Sequence, residues 1–145
     1  MQYQTGPGGR HFLRLHRGEP LMKSLSGYCK DQSLRAGRIS GIGAVEDTRL
    51  AYYDLSEKRY LETHLPDLME LVSFSGNLTI REGEPFVHAH AVLSDRDCVA
   101  RGGHMVEATV GVLVELILEP VSVAITRQFE EEIGLYAWSF ETRDR

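Results

Sequence analysis

The sequence is short of most features that would place it in a special class. It has two cysteines in 145 residues, Cys29 and Cys98. They are too few and too isolated for a disulfide framework or a four-cysteine zinc site. No apolar run approaches the roughly 18 residues that a membrane-spanning helix requires. The polar, glycine-rich start, Met1 to Arg14, lacks the apolar centre of a secretory signal. Positive charge is not in excess either: 16 Lys and Arg stand against 21 Asp and Glu, a formal net charge of -5. Phosphate binding rests on accumulated positive charge, so the balance argues against a whole-domain nucleic-acid clamp while leaving room for a local basic patch. There is no P-loop, no glycine-rich dinucleotide fingerprint ahead of a helix and no Gly-x-Ser-x-Gly elbow. What these absences leave is the expectation of a cytoplasmic protein with reduced thiols, touching no membrane.

The length suits one domain with one substantial core. Residues 1–9 read as a flexible lead-in, followed by a short alternating strand from His11 to Leu15. Between Glu19 and Ala36, Leu21, Met22, Leu25, Tyr28, Cys29 and Leu34 recur at steps of three and four, which predicts one amphipathic helix. Pro20 is tolerated in its first turn and Gly37 stops it. Nearly everything afterwards reads as strand. Arg38 to Val45 and Thr48 to Asp54 alternate around a turn at Glu46-Asp47, Lys58 to Leu65 is shorter, and Leu68 to Ile80 is long with a Gly-Asn break. Phe86 to Leu93 and Val99 to Arg101 flank Ser94-Asp95-Arg96-Asp97, a hairpin signal. Thr109 to Leu118 is strongly apolar, and Val121 to Phe129 alternates again. Many short strands and one good helix predict an α+β fold with a mainly antiparallel β-sheet and one principal helix. A β-barrel carrying one helix is the alternative.

Chemistry concentrates in the histidines. His88 and His90 stand in Phe86-Val87-His88-Ala89-His90-Ala91-Val92. Residues two apart on a strand point to one face, with alpha carbons roughly 6.5–7 Å apart, so two imidazoles can reach one ion. His104 follows in Gly102-Gly103-His104, where the glycines allow close backbone approach. Pairing of the two segments through the Ser94–Asp97 turn brings the third imidazole beside the first two. Three neutral imidazoles form a good zinc shell, at about 2.0–2.1 Å per bond, with a fourth position open. Glu84, Asp95, Asp97 and Glu107 are the nearby carboxylates that would have to move protons in a hydrolytic site, and each also reads as an ordinary turn carboxylate. Cys98 is the one soft ligand near the triad. Glu70 and Glu115 interrupt apolar strands and call for partners, for which Arg101 and Arg127 are candidates. His11, His16 and His64 read as surface or polar-network residues.

An ordered set of pieces runs through the chain. It comprises Arg14-Leu15-x-x-Gly18-Glu19, Ile39-x-Gly41-Ile42-Gly43-Ala44-Val45, Tyr52-Tyr53-Asp54, Glu70-Leu71-x-Ser73-x-Ser75-Gly76-Asn77, His88-x-His90 and Gly102-Gly103-His104. Together they resemble the PPC domain, the plants and prokaryotes conserved domain, in its stand-alone prokaryotic form, over residues 10–138 with a tail at 139–145. The resemblance implies an antiparallel α+β fold assembled as a homotrimer. It implies His88, His90 and His104 as metal ligands, since prokaryotic members keep these elements and plant domains generally lack them. In plants the domain follows AT-hook segments, so the resemblance also brings a DNA-binding label. Here Gly6-Pro7-Gly8-Gly9-Arg10 has no Arg-Gly-Arg-Pro core to lie in a minor groove. The expectation is a trimeric protein with one zinc-like ion per subunit, acting as a ligand-binding or regulatory module. A DNA-binding protein and a small zinc-dependent enzyme are the rivals. Its partners would be copies of itself and a small-molecule ligand.

Overall fold

The computed structural model describes residues 1–123 and 125–140. Among these described residues nine strands and one α-helix follow one another as β1 (Gln2–Thr5), β2 (His11–His16), α1 (Leu21–Asp31), β3 (Gly37–Asp54), β4 (Arg59–Leu65), β5 (Met69–Arg81), β6 (Glu84–Ser94), β7 (Ala100–Pro120), β8 (Thr126–Glu130) and β9 (Leu135–Ser139). All strand pairings are antiparallel except a single parallel bridge between Ile80 and Thr126. The α+β class with one principal helix is therefore as expected. The pairings also close on themselves, because β3 bonds β5 and β7 while β6 bonds β5 and β7. Strands β2 and β1 continue outward from β7, and β4 continues from β3. Among the described residues no helix is long and apolar enough to cross a membrane.

The core lies behind this ring of strands. Ile39, Leu71, Phe74, Leu78, Leu93, Met105, Val114 and Leu116 pack into one buried cluster with Leu21, Leu25, Tyr28 and Cys29 of α1. Burial of each such side chain contributes about 1.5–3 kcal/mol, so the cluster outweighs any surface pairing. Burial also pushes the Cys29 thiol up to about 12. The expected helix is shorter than Glu19–Ala36 at both ends. At its start Pro20 offers no capping side chain, and the Glu107 carboxylate from β7 accepts the Met22 and Lys23 amides at 2.7 and 3.1 Å instead. At its end Ser33 turns to a φ of 54°, and the Leu34 amide reaches back to the Cys29 carbonyl at 2.9 Å. That six-to-one bond with a left-handed residue closes the last turn, so Leu34 belongs to the stop and not to the helical stripe.

Several boundaries differ from expectation, because pairing with neighbouring strands and not local sequence decides where a strand continues and where it stops. The turn expected at Glu46-Asp47 is a bulge, with Asp47 at a φ of 50° and the β3–β7 register shifting between Glu46 and Arg49. Val99–Arg101 and Thr109–Leu118 are nearly the two ends of one strand, β7, with His104 in between. Of Val121–Phe129 only Thr126 onward is strand, and Ala124 lies outside the described residues. Residues 1–9, expected as a lead-in, contain β1, paired with Arg14 to His11 of β2. The segment expected as a tail begins inside β9, and residues 141–145 of it lie outside the described residues.

Candidate metal centre

On β6 the apolar residues Val87, Ala89, Ala91 and Leu93 are buried in the core, which forces Phe86, His88 and His90 to the opposite face. The expected hairpin forms: Asp95 accepts the Asp97 and Val99 amides at 3.0 Å, and β7 returns with His104 directly opposite His90. His104 also pairs with Ala51 of β3, so β7 is held on both edges at this point. The glycine pair before it suits that crowding, since any side chain there would press on a neighbouring carbonyl. A Cβ on Gly102 would stand 3.1 Å from the Ala91 carbonyl oxygen, and one on Gly103 would stand 3.0 Å from that of Ala51.

The three rings consequently converge. Their centroids lie 5.3 Å apart for His88 and His90, 5.0 Å for His88 and His104, and 5.4 Å for His90 and His104. One nitrogen from each lies within 4.8 Å of the other two. Burial, then the charges of His104, Arg127 and His90, push the His88 imidazole down to about 4. Burial and His90 also lower His104 below its ordinary value. Both rings are therefore neutral near pH 7, the form that ligates metals. His104 Nδ1 is buried and has no hydrogen-bond partner among the described residues. A buried polar nitrogen without a partner costs about 1–3 kcal/mol, and coordination is one way to satisfy such a lone pair. The donor set and this orphaned atom together fit a divalent ion.

Groups that the sequence did not tie to the triad complete the surroundings. Tyr60 of β4 stacks on His104, with centroids 4.7 Å apart and planes at 26°. The β8–β9 hairpin lies across the same face, fixed at its turn by the Tyr53 hydroxyl donating to the Ile133 carbonyl at 2.6 Å and by Lys58 donating to that of Glu131. From β8, Arg127 donates to Thr79 Oγ1 at 2.9 Å, the Tyr136 carbonyl at 2.7 Å and Asn77 Oδ1 at 2.9 Å. Its Nη2 lies 3.4 Å from His88 Nδ1. Arg127 is thus not the partner of Glu70 or Glu115. Asn77 carries a signal in hindsight, since it pairs with His88 across β5 and β6. Tyr60 and Arg127 carry none, because long-range pairings bring them here.

The carboxylates near the triad in sequence go elsewhere. Glu84 pairs with Lys30 at 2.9 Å on the surface, Asp95 builds the turn, and Glu107 caps the helix. Asp97 and Cys98 are exposed in the β6–β7 connection, Arg101 is exposed at the start of β7, and Glu70 and Glu115 are exposed on their strands. Of the other histidines, His11 is buried with Nδ1 2.7 Å from the Tyr28 hydroxyl, and His64 pairs with Asp47 at 2.5 Å.

Comparison with known proteins places this geometry in context. A plant- and prokaryote-conserved protein from Pyrococcus horikoshii superposes with a TM-score of 0.85 at 30% identity, covering 98% of this chain and 97% of that one. A protein from Archaeoglobus fulgidus named as metal-containing has the same TM-score of 0.85 at 31% identity, covering 97% and 99%. A protein from Bacteroides thetaiotaomicron named "putative dna binding protein" superposes with a TM-score of 0.93 over 97% and 98%, and its 24% identity speaks for the fold alone. No curated protein matches the chain. The Plants and Prokaryotes Conserved (PCC) domain model matches residues 2–122, a span that includes all three converging histidines, and the chain belongs to that family.

Proposed function

We propose that this protein is a metal-dependent ligand-binding module in which His88, His90 and His104 hold one divalent first-row ion per chain, zinc foremost. The observation that carries the reading is the convergence of three imidazoles, two of them kept neutral by burial, around a common point. The related Archaeoglobus protein named as metal-containing supports it. An ion held by three imidazoles keeps a position open and supplies a Lewis acid there. The chain's own residues favour binding over hydrolysis. Among the described residues the cluster contains histidines only, and the carboxylates nearest in sequence, Glu84, Asp95 and Glu107, are engaged elsewhere as surface, turn and capping groups, so none of them is placed to move a proton at the ion. Tyr60 braces His104 by stacking, and Asn77 with Thr79 orients Arg127 beside His88. The test is elemental analysis of the purified protein beside the His88→Ala, His90→Ala, His104→Ala triple variant. About one equivalent of metal in the first and none in the second is expected, and metal-free wild-type protein overturns the reading.

The module is further proposed to be a homotrimer. Tyr3, Phe12, Ile42, Val72 and Ile117 expose apolar surface around one open groove of about 1030 Å3. Contiguous apolar surface of this kind marks contact sites, and a second copy of the chain is the occupant that closed symmetry supplies. Sedimentation equilibrium at micromolar concentration tests this, with a stable monomer as the overturning result. The nucleic-acid reading gains no comparable observation, since acidic residues outnumber basic ones 21 to 16.

A further inference from the structure

Among the described residues the charge beside the imidazoles has no counterpart. Arg127 is half-buried, and every oxygen it donates to is neutral: Thr79 Oγ1, Asn77 Oδ1 and the Tyr136 carbonyl. Among the described residues it makes no ion pair, and another cation, Arg81, stacks on the same Phe86 ring. Proteins seldom keep a partly buried guanidinium uncompensated, because desolvating a charge is costly unless it is paired.

The 3.4 Å contact between Arg127 Nη2 and His88 Nδ1 makes the imbalance specific. Were Nδ1 to accept from the guanidinium, Nε2 would carry the ring proton and could not ligate a metal. With Nε2 free to ligate, Nδ1 carries the proton, and two N–H donors face each other with nothing to accept. Ligation through Nδ1 would instead set the guanidinium beside the ion. In both ligating arrangements the missing element is an anionic oxygen. Resting on the metal reading above, we propose that Arg127 and the imidazole triad form one binding site for a small carboxylate.

The walls select the class. A carboxylate is planar, carries a single charge and has two oxygens, one for the guanidinium and one to face the imidazoles. The carbon end of an organic acid finds aromatic surface, with Phe86 packed 5.2 Å from the guanidinium carbon and Tyr60 stacked on His104. Inorganic phosphate has no apolar end to place there. Arg127 therefore has two tasks, pinning the β8–β9 hairpin through neutral acceptors and presenting its charge toward the ring cluster.

The deciding experiment uses the cobalt(II)-loaded full chain, whose visible bands report on the metal's surroundings, titrated with acetate and separately with phosphate. Acetate is expected to shift the bands, with a Kd at least tenfold weaker in Arg127→Gln. Asn77→Asp is the second variant, because it keeps the hydrogen bond to Nη2 and supplies a built-in carboxylate. It is expected to fold, to hold cobalt in the wild-type ratio and to lose acetate binding by a similar factor. Equal acetate affinity in the wild-type and Asn77→Asp proteins overturns the inference, as does phosphate binding without acetate binding. Wild-type protein that takes up no cobalt overturns the metal reading, and it does so before any acetate is added. In that event acetate-dependent thermal stabilisation of the metal-free protein, lost in Asn77→Asp, would uphold the Arg127 subsite, and its absence would sink it.

Discussion

The two faces of β6 make opposite demands on one strand. Val87, Ala89, Ala91 and Leu93 are sealed into the core, while His88 is half-buried and His90 exposed on the other side. The inward residues are held by many apolar neighbours from β5, β7 and α1, so their contribution is to stability. The outward residues meet a few polar groups brought from distant segments, namely Asn77, Tyr60 and Arg127. Their contribution is to chemistry. Alternation with a period of two thus separates folding from function within eleven residues.

That separation can be broken from either side. The largest effect is expected from Leu93→Ala, which removes a fully buried side chain at a cost of about 2–5 kcal/mol, from transfer and cavity terms together. Urea unfolding reads the loss, and the metal content of the folded fraction is expected to stay at the wild-type ratio. A change in metal content would show that the two faces are coupled.

A smaller effect comes from the outward face through pH. The folded His88 imidazole titrates at about 4 against an ordinary 6.5, so over that interval the unfolded chain binds the extra proton. Stability of the chelator-treated protein is therefore complete above pH 6.5 and declines as pH falls toward 4. After allowance for screening of a ring only half removed from solvent, the decline is about 1–2 kcal/mol. Thermal melts from pH 7.5 to 4 check it, and His88→Gln is expected to flatten the slope while leaving neutral stability within a fraction of that amount.

The smallest effect sharpens the contrast at the start of the helix. Glu107 stands near His104 in sequence yet caps α1, accepting the Met22 and Lys23 amides. Glu107→Ala is expected to cost about 1 kcal/mol, as loss of a helix cap does. Far-ultraviolet melts measure that cost, and unchanged metal content would separate the helix cap from the imidazole face.

Legibility differed between the fold and the site. The helix, the strand-rich remainder and the common face of His88 and His90 follow from local periodicity, a property of neighbouring residues. His104 was legible as well, because its route to His90 is a hairpin whose turn residue, Asp95, carries its own hydrogen-bonding instruction. The Glu46-Asp47 segment misled because Asp and Glu suit both a turn and a bulge, and pairing with β7 decides which forms. Glu107 misled because proximity along a chain does not fix a side chain's direction.

By itself the sequence determined which residues face together along each strand and helix, since backbone geometry sets those periods whatever the surroundings. It also determined that two imidazoles share a face and that glycines stand where β7 is crowded. Only the tertiary structure decided what lies opposite them. Arg127 reaches His88 across 39 positions of chain, and Tyr60 reaches His104 through the pairing of β3 with β4 and β7. Such contacts depend on strand register summed over several pairings, and no local run of residues encodes that sum.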